Sequence, residues 1–390
     1  MPALAVAWPL GRRRGAWGPE RDVERLKQLA RRGTSAVGVD IDRGAIKAVE
    51  ISSRGGEYTL RHVGYHRLPE GAISDGDVAD AQLLAEEVRE FWDAHAFGQK
   101  SVLVGVANRN VVARVLEFPP MSPDDLEGAV GYEASEHIPL PLDQSVLDHV
   151  VLGPRGAPGD GDRVLVVAAL KEMVQRYTAV LKDGGLRPVG VDVKALALTR
   201  SAVPLDFFGE EGAVVLVDVG TEISNLVVAE GEAPVLTRFI SFGLTDFIAA
   251  VAQAADLPDD EAEKRALDPK TGLGGGPEDV GDDDSWDPAL AYDARRGLEQ
   301  AAAHLAEEVR RSVDHHSQPG AREVSRVILS GEGALIPGLH GALGELLGLP
   351  TERARPIERL AYNRSNVSDE QLGAMEPVLA VAIGLAMEEA

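Results

Sequence analysis

Two stretches of the chain, far apart, follow one plan. Residues 37–50 read VGVDIDRGAIKAVE, in which Val37, Val39 and Ile41 alternate up to a polar turn, Asp42-Arg43-Gly44, and a second alternating run leaves it. Alternation on both sides of a short turn predicts a β-hairpin, here with the carboxylate of Asp40 just before the turn. Residues 214–228 read VVLVDVGTEISNLVV and repeat the pattern, with Asp218 where Asp40 stands. The duplication predicts two related α/β lobes whose carboxylate-bearing hairpins face each other across a cleft. At 390 residues the chain also exceeds what one ordinary core organises, so more than one lobe is expected from size alone.

The rest of the pattern fits around the hairpins. Residues 57–68 predict a third strand. Residues 79–95 predict an amphipathic helix with Leu83, Leu84, Val88, Phe91 and Trp92 on one face, and residues 101–106 an apolar strand. From Arg109 the character changes. A strand over 111–118 ends at Pro119-Pro120, and Ser122-Pro123-Asp124-Asp125 is a helix start with a capping hydroxyl, an early proline and early carboxylates. That helix runs to about His137, where Ile138-Pro139 breaks it. Strands over 145–152 and 163–170 and a helix over 171–183 complete an inserted subdomain, 109–186, whose His137 and His149 read as polar-face residues. The first-lobe core is then 36–108 plus 187–211. The second-lobe core is 212–245 plus 322–390, with a further subdomain over 246–321. Within the latter, residues 268–288 carry Glu278, Asp279, Asp282, Asp283, Asp284 and Asp287 without the alternating ligands of a calcium loop, so a disordered, solvated loop is expected. Residues 1–35 read as a flexible leader.

Bulk properties remove several function classes. A formal charge of −24 opposes nucleic-acid binding, which needs a basic face. The chain has no cysteine, hence no disulfide framework or zinc–thiolate site. No apolar run approaches the roughly 20 residues of a bilayer span. The opening MPALAVAWPLGRRR places its basic residues after its apolar ones, the reverse of a secretory signal. A cytoplasmic protein is expected.

Chemistry concentrates in three loops. A strand–turn–strand with aspartate before the turn presents backbone N–H groups to a terminal phosphate, while its carboxylate holds magnesium, usually through water. Two such hairpins would grip a triphosphate from both sides. The third loop, Ser330-Gly331-Glu332-Gly333-Ala334, is a glycine-rich turn opening a helix, which suits close approach of a nucleoside or phosphate.

Residues 36–387 resemble the actin-like nucleotide-binding superfamily, and within it most nearly the PilM family of type IV pilus assembly. The most specific stretch is EASEHIPLPLDQSVLDHVVL, Glu133 to Leu152. GVDIDRGAIKAVE and LSGEGALIPGL stand where the family has its first phosphate loop and its adenosine loop. The FtsA division proteins share the architecture but normally end in an amphipathic membrane-targeting helix, and the terminal AVAIGLAMEEA has no basic residues for one. A sugar or acetate kinase of the same superfamily would want intact phosphate loops and a catalytic carboxylate after the insert.

The resemblance implies an α/β, actin-like (ribonuclease H-like, duplicated) fold of two lobes and four subdomains, the inserted one SHS2-like. It implies ATP and magnesium in the cleft, held by Asp40, Asp42, Arg43, Gly44, Ala45 and Lys47 of the first hairpin, Asp218, Gly220 and Thr221 of the second, Gly243, and Gly331, Glu332 and Gly333. Asp40 and Asp218 would face the metal. It further implies docking of the cytoplasmic N-terminal peptide of PilN in a groove involving the first lobe and the insert. Through PilN and PilO this would link the chain to the membrane and to the pilus assembly ATPase machinery. No residue stands out as a catalytic base, so at most a weak ATPase is expected.

The chain departs from the family pattern at informative places. Asp42 and Glu332 stand where glycines are usual, and Phe242-Gly243-Leu244 replaces a Gly-Gly pair. Only Asp218-Val219-Gly220-Thr221 keeps the expected form. A carboxylate about 4 Å from a phosphate, at an effective dielectric near 20, is repelled by on the order of 4 kcal/mol. Arg43, Lys47 or a turn shifted onto Gly44 would offset this. A weakened nucleotide site is expected.

Overall fold

The computed structural model describes residues 35–154, 161–207, 212–231, 233–273, 288–317 and 321–389. The expected leader and most of the acidic stretch, 274–287, lie outside the described residues.

The first hairpin forms with Asp40 directly opposite Lys47: β1 (Ser35–Ile41) pairs antiparallel with β2 (Ala45–Arg54), and β3 (Glu57–Arg67) continues the meander. A two-residue ladder, β4 (Ile73–Ser74) with β5 (Asp77–Val78), precedes α1 (Ala81–His95). The Asp80 carboxylate accepts from the amides of Gln82 and Leu83 and so satisfies two N–H groups that the helix start leaves free. The face of α1 carrying Leu84, Val88, Phe91 and Trp92 is buried, each such side chain contributing roughly 1.5–3 kcal/mol by leaving water. β6 (Ser101–Val106) then lies parallel to β1.

The insert follows as β7 (Val111–Phe118), α2 (Pro123–His137), β8 (Ser145–Pro154), β9 (Asp162–Leu170) and α3 (Lys171–Asp183). The Ser122 hydroxyl accepts from the Asp125 amide, and α2 stops at Ile138 because Pro139 excludes the helical conformation from the residue before it. The chain re-enters the first sheet as β10 (Arg187–Val193), parallel to β6, and leaves it through α4 (Lys194–Ala202).

The second lobe repeats the meander as β11 (Ala213–Val219), β12 (Ser224–Glu230) and β13 (Ala233–Ile240). Three helices, α5 (Leu244–Ala255), α6 (Asp259–Ala266) and α7 (Pro288–His316), lead to β14 (Val324–Ser330), α8 (Leu339–Leu347) and β15 (Thr351–Arg353). The chain closes with β16 (Leu360–Asn363), α9 (Asp369–Met375) and α10 (Ala380–Glu389). Strand order is β10-β6-β1-β2-β3-β16 in one sheet and β15-β14-β11-β12-β13-β7-β9-β8 in the other. The five-strand units β10-β6-β1-β2-β3 and β15-β14-β11-β12-β13 share one order and one set of strand directions. The duplicated hairpins are thus the visible part of duplicated sheets.

Two long-range features go beyond the sequence pattern. The strands of the insert extend the sheet of the second lobe: Leu236 of β13 pairs with Arg114 of β7, and the Thr237 hydroxyl donates to the Ala113 carbonyl at 3.1 Å. The C-terminal residues, grouped from sequence with the second lobe, return to the first sheet. β16 pairs parallel with β3, and Leu379, Ala382, Ile383 and Ala386 share one apolar cluster with Val49, Ile51, Leu60 and Val63. Helix α10 is admitted by missing side chains. A Cβ on Gly38 would lie 2.2 Å from the Ala382 carbonyl oxygen, and one on Gly384 only 1.9 Å from that of Ala197. By length and composition Asp369–Glu388 is apolar enough to cross a membrane, contrary to the expectation from sequence, but 61% of its apolar 18-residue window is buried inside the protein.

Candidate functional site

The two hairpin tips meet. The first turn is built by Asp42, whose Oδ1 accepts from the amides of Gly44 (2.9 Å) and Ala45 (3.0 Å), an aspartate turning the backbone with its own side chain. None of residues 42–44 has a positive φ, so the left-handed geometry that glycine would favour is not used. Gly44 is needed for space instead: a Cβ there would sit 2.3 Å from the Thr221 hydroxyl of the opposite tip.

Lys47 lies at the centre, with 3% of its side chain exposed. Its Nζ is 2.7 Å from Asp42 Oδ2, 2.8 Å from Glu332 Oε1 and 3.0 Å from Asp40 Oδ2. An ammonium has three N–H donors, and three carboxylates stand in reach of them. The other Asp40 oxygen is 2.6 Å from the ammonium of Lys194, which also donates to the Ile41 carbonyl at 2.8 Å. Asp218 accepts from the Ser330 hydroxyl at 2.8 Å.

Burial and neighbouring charges oppose each other at Asp40 and Lys47, where the charges win, whereas burial sets the direction at Asp218 and Glu332. Burial would raise the Asp40 carboxyl, but Lys194 and then Lys47 outweigh it and hold Asp40 at about 2. Burial would likewise ease the proton off Lys47, and Asp40, Asp42 and Glu332 reverse that, keeping the ammonium well above its ordinary value. Asp218 is raised by burial and by the charge of Asp40. Glu332 is pushed up to about 7 by burial and by Asp42, which shares its ammonium. Its second oxygen is buried with no hydrogen-bond partner among the described residues.

A pH dependence follows. A carboxyl whose folded value lies above its unfolded one binds its proton more tightly when folded, so it lends stability that is complete below the unfolded value. For Glu332 that stability is lost as pH rises from the ordinary 4.5 through about 7, on the order of 3 kcal/mol in all. Asp218 has the same sign, whereas Asp40 acts only toward its value of about 2. Urea midpoints measured from pH 5 to pH 8 are expected to fall, and Glu332→Gln to flatten the slope. An unchanged slope in that variant would remove Glu332 as the cause.

The second tip is tied to the first from outside as well. Arg43 pairs with Glu222 at 3.2 Å, and the Asp75 amide donates to the other oxygen of Glu222 at 3.0 Å. The Thr221 hydroxyl reaches Asp42 Oδ1 at 3.4 Å, and the Gly220 amide donates to the Ile223 carbonyl at 3.0 Å. Gly243 opens α5 with its amide on Asp246, and a Cβ there would lie 2.6 Å from the Thr221 carbonyl oxygen. One glycine suffices for this approach, and Leu244, where a second would be usual, is buried in the lobe core. In the third loop Gly331 has φ of 81° and, with Gly333, packs on Val219, a Cβ on either meeting it within 2.4 Å. Glu332 leaves that loop for Lys47. Further out, Arg67 meets Glu263 across the lobes at 2.7 Å.

The expected residues lie near one another, Asp40, Ala45, Lys47 and Asp218 on the hairpin strands and the others at the two tips, the start of α5 and the third loop. Lys194 and Glu222 were not anticipated. The signal for Lys194 was a charged residue between an apolar strand and a helix, in VDVKAL, and Glu222 carried none. The arrangement does not fit a triphosphate as it stands. The amides of Gly44 and Ala45 serve Asp42, Lys47 serves three carboxylates, and Gly44 abuts Thr221. Of the expected metal ligands, Asp40 has both oxygens on ammonium groups and Asp218 has one on Ser330. Among the described residues no three histidine or carboxylate side chains converge as a metal set. Elsewhere, a groove of about 650 Å³ lies where β7 meets β13, bordered by Arg114, Arg238, Arg311, His137 and His315.

Comparison with known proteins gives this geometry its context. A family model described as type IV pilus assembly protein PilM matches residues 38–272 and 294–390. Among solved structures, a chain of the PilM-PilN type IV pilus biogenesis complex is 28% identical with a TM-score of 0.75, the match covering 90% of this chain and 97% of that one. The ethanolamine utilization protein EutJ of Carboxydothermus hydrogenoformans is 14% identical with a TM-score of 0.54, covering 91% and 90%. MreB 5 of Spiroplasma citri bound to AMPPNP is 11% identical with a TM-score of 0.51, covering 90% and 94%. The last two show fold alone: the two α/β lobes are an actin-like fold.

Proposed function

The chain belongs to the type IV pilus assembly PilM family, and from that premise we propose that it is a cytoplasmic actin-like adaptor of pilus assembly whose partner is the N-terminal peptide of a PilN protein. The observation carrying this reading is the likeness, over nearly the whole of both chains, to a chain of a PilM-PilN complex. Through PilN and PilO the adaptor would sit at the inner face of the membrane and reach the pilus assembly ATPase machinery. ATP and magnesium take second place, with Asp40, Asp42, Arg43, Gly44, Ala45, Lys47, Asp218, Gly220, Thr221, Gly243, Gly331, Glu332 and Gly333 as a weakened nucleotide site and Asp40 and Asp218 as its metal side.

On this reading an extended peptide would add to a sheet edge near the first lobe and the insert. Among the described residues β10 and β8 are outer strands of their sheets, and each carries an exposed apolar side chain, Val189 at 49% and Val151 at 45%. Leu152 of β8 packs on the cluster that holds Leu103 and Val193 of the first lobe. An extended peptide adding to an open edge gains main-chain hydrogen bonds, with pockets for alternate side chains giving specificity.

Calorimetry with a synthetic PilN N-terminal peptide tests the reading. Val151→Asp and Val189→Asp should each weaken binding at least about tenfold, roughly 1.4 kcal/mol. Arg114→Glu, in the groove on the other side of the insert, should leave it unchanged. Absence of peptide binding by the unaltered chain would sink the adaptor reading.

A further inference from the structure

We infer that the carboxylate of Asp42 stands in for a nucleotide phosphate within its own loop, and that with Glu332 it keeps the two lobes of this chain closed without nucleotide. The inference rests on reading the interlobe cleft as the family's nucleotide site. A phosphate at a hairpin tip is recognised by successive backbone N–H groups, an ammonium and a hydroxyl from the facing tip. Here all of those donors already converge on one side chain. Asp42 Oδ1 takes the amides of Gly44 and Ala45 at 2.9 and 3.0 Å and is 3.4 Å from the Thr221 hydroxyl, while Oδ2 is 2.7 Å from Lys47 Nζ.

Glu332 makes the substitution complete. It crosses from the second lobe to the same ammonium at 2.8 Å, so the bridge a ligand would make between lobes is made by a side chain from each. Two of the positions at which the chain departs from the expected glycines, Asp42 and Glu332, are therefore one device. Asp42 without Glu332 leaves the lobes unlinked at Lys47, and Glu332 without its ammonium is a lone buried carboxylate. An anion attached to the loop also competes at high effective concentration with any anion from solution. A nucleotide would have to displace Asp42, bring its own negative charge beside Asp40, Asp218 and Glu332, and separate Gly44 from Thr221.

Calorimetry with Mg-ATP on the full chain, its Asp42→Gly and Glu332→Gly variants and the double variant tests this. The unaltered chain is expected to show no binding up to millimolar nucleotide. The double variant should gain at least a hundredfold in affinity, more than the single gains combined, as coupled residues do. Hydrogen exchange supplies a readout that does not depend on gained binding. Without nucleotide the amides of Gly44, Ala45, Thr221 and Glu222 should be protected in the unaltered chain and should exchange faster in Asp42→Asn, which removes the charge but keeps an acceptor in the turn. Unchanged protection in Asp42→Asn overturns the proposal, as does Mg-ATP binding by the unaltered chain as tight as by the double variant. Neither result touches PilN-peptide binding, which is measured on the same samples and stands or falls separately.

Discussion

Lys47→Met is expected to destabilise the chain by at least about 3–5 kcal/mol, the usual cost of removing one partner from a buried ion pair. The reason lies in how many groups depend on this one ammonium. Asp40, Asp42 and Glu332 all lie within 3.0 Å of it, and the site is almost dry. Methionine fills much of the volume but carries no charge, so the acids left behind must take up protons or water. Asp40 retains Lys194; Asp42 and Glu332 retain no cation at comparable distance among the described residues. Urea denaturation at pH 7.5 measures the loss. Adding Asp42→Asn and Glu332→Gln to Lys47→Met should recover a large part of it, because a neutral cluster has no stranded charge. A loss below about 1 kcal/mol for Lys47→Met would show that water reaches the cluster and that the ion pairs hold little.

Gly384→Val is the second large effect. At this residue α10 crosses α4, and an added Cβ would come within 1.9 Å of the Ala197 carbonyl oxygen and 2.5 Å of its carbon. These are backbone atoms in a helix and cannot rotate aside, so the helices must separate and the apolar residues between them lose contact. Overpacking ordinarily costs about 1–3 kcal/mol, and a clash with backbone belongs at or above the upper end. Gly341 gives the contrast, since a Cβ there meets nothing within 4 Å. Gly341→Ala, inside α8, should be neutral or stabilising by up to about 1 kcal/mol through helix propensity. The melting temperature of Gly384→Val should therefore fall while that of Gly341→Ala holds or rises. A Gly384→Val melt matching the unaltered chain would mean that the crossing is looser than its geometry states.

What the sequence disclosed follows the range of each signal. The hairpins at Asp40 and Asp218 were legible because alternation and a turn are local. So was α2, with Ser122 capping one end and Pro139 stopping the other, and the strands and helices of the insert fall close to their expected bounds. Neither the β13–β7 seam nor the return of β16 and α10 to the first sheet has a local signature, because pairing depends on which edges are free once the sheets exist. At the site, Asp42 and Glu332 were visible as departures, and Lys47 as a cation able to answer them. That both acids reach the same ammonium was not visible, since 285 residues separate Lys47 from Glu332 and only the closed cleft brings them together.

The placement of β16 and α10 on the first sheet has a consequence for the order in which the molecule is made. Domains generally fold as units as the chain emerges from the ribosome, N-terminal ones first. Here the apolar face formed by Val49, Ile51, Leu60 and Val63 is covered by residues 372–386, which are synthesised only after the whole of the second-lobe sheet. A sheet begun at β1 is thus finished only after the second lobe has been made. Until β16 and α10 emerge, β3 keeps an open edge and the sheet an uncovered apolar face, the two features by which nascent chains stick to one another. Quality control is built into that order: a chain cut short before α10 cannot cover the sheet to which β1, β2 and β3 belong.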